Sequence, residues 1–69
     1  MEKNWVKIFS SGEIYQVRLF KAMLEAEEIE TVEINNQDSS YLVIGEVELY
    51  VKAPDVLRAK YLIEKNKGE

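Results

Sequence analysis

Apolar residues recur at two spacings along this chain, and the changes of spacing mark out five elements. Trp5-Val6-Lys7-Ile8-Phe9 is rich in β-branched and aromatic residues and is stopped by Ser10-Ser11-Gly12, which predicts a strand. At period two, Val6 and Ile8 share the inward face, and Trp5, Lys7 and Phe9 the outward one. Ser10-Ser11-Gly12-Glu13 then has the form of a capping box. Val17, Phe20 and Leu24, with Met23 beside them, follow at helical spacing to about Glu27 or Glu28. A second apolar group on this helix, Tyr15, Leu19, Ala22 and Ala26, widens the arc beyond the ~100° that packing on one side requires. That excess predicts contact with a second helix or a second chain.

Thr31-Val32-Glu33-Ile34 alternates as a strand, with Val32 and Ile34 expected inward. The run Asn35-Asn36-Gln37-Asp38-Ser39-Ser40 is made of residues that favour turns and local backbone hydrogen bonds. Tyr41-Leu42-Val43-Ile44 is apolar and reads either as an early start to the third strand or as an exposed patch; Gly45 after it suggests a bulge or turn. Residues 46–52 have the strongest alternation in the chain, with Val47, Leu49 and Val51 inward and Glu46, Glu48, Tyr50 and Lys52 outward. A half-solvated antiparallel strand fits that pattern. Ala53-Pro54-Asp55 opens a last helix, with proline in its first turn and aspartate beside the positive end of the dipole. Val56, Ala59, Leu62 and Ile63 form its inward face, and Leu57 and Tyr61 pair at i,i+4 on another.

The order β-α-β-β-α defines one α+β domain over residues 1–69. A β-α-β crossover joins parallel strands, and the third strand fits antiparallel between the first two, with both helices on one face of a three-stranded antiparallel or mixed sheet. This is a truncated ferredoxin-like arrangement, because the fourth strand of that fold would follow the second helix. The first strand is then expected to be an open edge, with backbone N–H and C=O groups free to pair.

Composition narrows the function. Of 69 residues, 46% are hydrophobic and 32% charged, a globular balance. Cysteine and histidine are both absent, which removes thiol nucleophiles, imidazole bases and soft-metal ligands. A domain this small buries only ~60% of its unfolded surface, so without disulfides or a metal the expected reinforcement is self-association or an unusually regular core, and a homodimer is favoured over a monomer. The net charge of −4 argues against general nucleic-acid or anionic-membrane binding, although Trp5, Phe9, Tyr15 and Tyr50 could form an aromatic platform. No apolar run reaches membrane-spanning length and no signal peptide is visible, so the expected compartment is the cytoplasm.

Residues 6–9, the run Leu24-Glu25-Ala26-Glu27-Glu28-Ile29, the strand Val47-Glu48-Leu49-Tyr50-Val51, and Asp55, Ala59 and Leu62 together carry a resemblance. The chain resembles the small prokaryotic signal-transducing domains related in fold to the ferredoxin-like nitrogen-regulatory signal proteins. The resemblance spans nearly the whole chain and rests on packing positions. It implies a regulatory role and supplies no catalytic motif. Glu28 stands where such families often place glycine before the isoleucine that follows the first helix.

The candidate surface comprises Ser10, Ser11 and Gly12, a turn at a helix N-terminus able to hold an anion; Asn35, Asp38, Ser39, Ser40 and Tyr41 in the polar loop; and the outward aromatics Trp5, Phe9 and Tyr50. The leading expectation is a non-catalytic regulatory or protein-interaction module without a cofactor. The alternative is a sensor holding an anionic or amide metabolite between the Ser10–Ser11–Gly12 turn and the loop at Asp38–Tyr41. An enzyme relying on carboxylates, lysine or tyrosine alone is the least expected.

Overall fold

The computed structural model describes residues 4–38 and 45–67. Strand β1 (Trp5–Ser11) leads into helix α1 (Ile14–Ala26), then strands β2 (Thr31–Asn35) and β3 (Val47–Lys52), a short 3-10 turn (Ala53–Asp55) and helix α2 (Val56–Lys67). The expected α+β order is present. The sheet runs β1-β3-β2, and β3 is antiparallel to both neighbours. The expectations for residues 41–44, and those for Ser39 and Ser40, lie outside the described residues.

Both helices pack on the face of the sheet where β3 turns Val47, Leu49 and Val51 inward. These meet Val17, Phe20 and Leu24 of α1 and Ala59 and Ile63 of α2, each no more than 5% exposed. Each large side chain so buried contributes roughly 1.5–3 kcal/mol relative to exposure. The molecule measures 37 × 33 × 16 Å, one sheet and one helix layer thick.

Two facing expectations are corrected by the register. Val32 lies opposite Tyr50 and Ile34 opposite Glu48, whereas Thr31, Glu33 and Asn35 lie opposite Val51, Leu49 and Val47. Directly paired residues share a sheet face, so Val32 and Ile34 are on the side away from the helices. Thr31 and Glu33, thus turned toward α1, find partners there. Arg18 Nε and a terminal guanidinium nitrogen donate to the two carboxylate oxygens of Glu33 at 3.3 Å each, and Thr31 Oγ1 donates to Glu25 Oε2 at 3.0 Å.

The second correction concerns Phe9. A β-bulge between Lys7 and Phe9 inserts Ile8 as an extra residue, so Phe9 falls opposite Leu49 on the helix side. Its ring meets Phe20 edge-on, with centroids 4.8 Å apart and planes at 80°. Ile8 also packs against the core, as the sequence predicts.

The end of α1 explains how β2 acquires its phase. Glu28 N–H donates to Glu25 O and Ile29 N–H to Leu24 O, both at 3.0 Å, while Glu28 adopts φ 64°. This is a Schellman stop, in which a residue in left-handed conformation satisfies the last carbonyls. Glycine normally takes that position; here glutamate does, at a local conformational cost. The stop buries Ile29 against Leu24, and on period two Ile29 commits Thr31 and Glu33 to the helix side.

Candidate interaction surface

Three parts of the surface include the residues singled out above. The first is the corner where β1 turns into α1. The capping box predicted there is not formed: Ser10 remains in β1, Glu13 is the N-cap residue, and its side chain makes no cap hydrogen bond. Ser11 Oγ instead accepts from Glu13 N–H at 3.0 Å and donates to Gln16 Oε1 at 3.0 Å. The strand runs two residues further than its apolar pattern, which carries Ser10 away from the helix. Tyr15 O–H donates to Glu13 Oε1 at 3.0 Å, and that contact raises the Tyr15 pKa above its ordinary value.

The polar loop approaches this corner. Gln37 Nε2 donates to Gly12 O at 2.6 Å, and Asn35 Oδ1 accepts from Gln37 N–H at 2.8 Å to form a local turn. Gly45 closes the arrangement with φ 96°. A Cβ there would lie 2.7 Å from Asn36 O, so only glycine fits. Ser11, Gly12 and Asn35 are therefore drawn together through Gln37, a residue that in the sequence is one of a polar run. Asp38 is exposed at the end of this segment, and Ser39, Ser40 and Tyr41 lie outside the described residues.

The second part is the sheet face away from the helices, where Trp5, Lys7, Val32, Ile34 and Tyr50 lie. Trp5 and Tyr50 are on this face as expected, with Ser10 opposite Glu48. Both aromatic residues are engaged within the chain. Lys52 Nζ lies 5.6 Å above the Trp5 ring and 3.4 Å from Glu30, and Tyr50 O–H donates to Glu48 Oε1 at 2.8 Å. The Tyr50 hydrogen bond, and secondarily Lys7, lowers the Glu48 pKa, while Glu48 raises that of Tyr50. Trp5, Val32, Ile34 and Tyr50 are half-buried here, and Lys7 is exposed. The neighbouring β1 strand is a sheet edge, and its bulge interrupts the regular row of backbone groups that strand addition needs.

The third part is the outer surface of the helix layer. Leu57 is 83% exposed, Tyr15 68%, Leu19 64% and Tyr61 63%. Glu27 Oε1 meets Arg58 at 3.4 Å, where α1 ends and α2 begins. At the other end, Gln16, Leu19, Phe20 and Met23 share a groove of ≈ 340 Å³ with Asn66 and Lys67. The helices thus run antiparallel, and their exposed apolar side chains lie on the outer side of the helix layer, opposite the buried stripes. The sequence carries the signal for this surface in the over-wide arc of α1 and the Leu57–Tyr61 pair.

Among the described residues no group of three or more acidic side chains is arranged to hold a metal ion, and no helix is long and apolar enough to cross a membrane. The displaced pKa values belong to surface pairs, each explained by a neighbouring hydrogen bond.

A three-stranded antiparallel sheet backed by two antiparallel helices, with its apolar surplus on the helix layer, defines a small ferredoxin-like α+β protein. The chain belongs to the family described as "Putative prokaryotic signal transducing protein", whose model matches residues 5–67. No curated protein and no solved structure matches it.

Proposed function

We propose that the chain is a non-catalytic interaction module that passes on a signal by docking to another polypeptide. The carrying observation is the set of four large apolar side chains, Tyr15, Leu19, Leu57 and Tyr61, exposed by 63–83% on one side of a molecule only 16 Å thick. Single exposed leucines are ordinary, but four large apolar side chains exposed on two neighbouring helices are the mark of a contact site. Folding does not require these residues. They lie opposite the buried stripes of their helices, and polar substitutes there would cost the core nothing.

A photo-crosslinking residue placed at Leu57 in the full chain, expressed in cells, tests this reading. Discrete crosslinked species, whether with itself or with another protein, are expected. A folded chain that yields only uncrosslinked protein would count decisively against docking through this surface.

A second reading, a sensor for an anionic or amide metabolite, is favoured by one observation: the Gln37–Gly12 bond of 2.6 Å draws the β1–α1 turn and the polar loop together. A ligand held there raises the melting temperature in a metabolite screen, because it binds the native state alone. Substituting Gln37→Ala should abolish that rise.

A further inference from the structure

We infer that the occupant of the helix layer is a second copy of this chain, packed helix layer to helix layer with the two sheets outside. The inference rests on the docking reading above and names its partner.

The surface is complementary to itself. On α1, Ala22 and Ala26 are exposed and four residues apart, which leaves two shallow positions one turn apart. On α2, Leu57 and Tyr61 are exposed with the same spacing and form two projections. The helices are antiparallel, and the Glu27–Arg58 contact sets their relative height. Leu57 is thereby roughly level with Ala26, and Tyr61 with Ala22, to within about a residue or two of the ~1.5 Å helical rise. A two-fold axis parallel to the helices lays α1 of one copy against α2 of the other. Both projections then enter both hollows, twice over, as an isologous interface requires.

Charge favours the same arrangement. In a chain of net charge −4, α2 carries Arg58, Lys60, Lys65 and Lys67 against Glu64 alone. Lys60 and Lys65 form no ion pair among the described residues. The end of α1 is acidic, with Glu25, Glu27 and Glu28. Packing α2 over α1 of the second copy sets Arg58 and Lys60 level with its acidic end and Lys65 and Lys67 level with its Arg18 and Lys21, whereas α2 over α2 would oppose two basic helices along their length.

The area is of the right order. Two tyrosines, each presenting ~150–250 Å², and two leucines offer on the order of 500 Å² per copy if all four are covered. Two copies would then bury about 1,000 Å², the size at which specific interfaces begin, with Ala22, Ala26 and the lysine stems adding to it. The free sheet face has less to offer, because Lys52 already covers Trp5 and Glu48 already engages Tyr50.

Two independent measurements on the full chain test the inference. Sedimentation equilibrium over a wide concentration range should show a monomer–dimer equilibrium. Ala22→Arg, at an exposed position where arginine is a good helix former, should weaken it by at least ~tenfold while helical circular dichroism is retained. Because the chain has no cysteine, the double variant Ala26→Cys, Leu57→Cys reports directly: mild oxidation should give a disulfide-linked dimer. A monomer at every concentration overturns the inference. So does a dimer that ignores Ala22→Arg, or one abolished instead by Val32→Arg on the free sheet face. Crosslinks from Leu57 only to other proteins overturn it too while leaving the docking reading intact; no crosslinks at all would remove that reading itself.

Discussion

Strands β2 and β3 lie side by side, share the same two-residue period, and face opposite ways. In β3 the apolar residues Val47, Leu49 and Val51 point into the core and the others point out. In β2 the apolar residues Val32 and Ile34 point out, and Thr31 and Glu33 point toward the helices. Alternation therefore establishes that a segment is a strand and leaves its facing undetermined. The central strand faces its apolar side inward because both helices cover it. The edge strand answers to α1 alone, which presents Arg18 and, at its end, Glu25 to the polar side of β2.

The largest expected difference between the strands follows from burial. Leu49→Ala leaves a cavity between both helices and the sheet and should cost about 2–5 kcal/mol, enough to unfold most of a domain this small. Ile34→Ala removes a half-buried side chain from the free face and should cost about 1 kcal/mol or less. Urea denaturation followed by circular dichroism measures both. Equal losses would mean that β2 faces the other way.

A smaller effect of opposite sign tests the element that sets the phase of β2. Glu28 holds φ 64° in the stop that buries Ile29. Glu28→Gly relieves the left-handed strain, partly offset by glycine's greater freedom when unfolded, and should raise stability by about 0.5 kcal/mol. A loss of stability in the same urea experiment would show that the glutamate side chain matters more than its backbone.

The smallest effect is confined to acid pH and to β2. Hydrogen bonds first from Lys21 and then from Thr31 hold the Glu25 carboxyl below its ordinary 4.5. A carboxyl whose pKa is lowered by folding adds stability above its unfolded value and loses that contribution as pH falls through the folded one. The stability difference between the native chain and Glu25→Gln should therefore be level near neutrality and narrow below pH 4.5. A difference that stayed constant into acid would show that the carboxylate charge is not what β2 is held by.

The same contrast separates what the sequence makes legible from what it hides. Element order, the antiparallel central strand and the inward faces of both helices follow from periodicity, because those elements are buried on one well-defined side. Strict alternation puts Phe9 outward because it has no room for the bulge at Ile8, and nothing in Val6-Lys7-Ile8-Phe9 announces one. Alternation leaves Val32 and Ile34 free to face either way, and a preference of apolar residues for the core points them inward. The spacing of Leu24 and Ile29 around Glu28 carried the contrary signal, through a helix stop that fixes the parity of the next strand. Trp5 and Tyr50 lie on the sheet face that alternation gives them, while the most exposed apolar residues show in the sequence only as an arc too wide for one-sided packing and as the Leu57–Tyr61 pair.

Strand β3 also governs the order in which the chain can assemble during synthesis. Trp5 of β1 finds its partner in Lys52, and Thr31 of β2 finds its partner in Val51. A nascent polypeptide that has released β1 and β2 but not yet β3 has two strands with nothing to zip against. Helix α1 can form at that stage, but the sheet must wait for residues 47–52 to leave the ribosome. Such long-range pairing slows folding relative to a helical bundle of equal length. The interval leaves the alternating stretches of β1 and β2 exposed to the crowded cell, and it ends when one late-arriving strand closes the sheet on both sides at once.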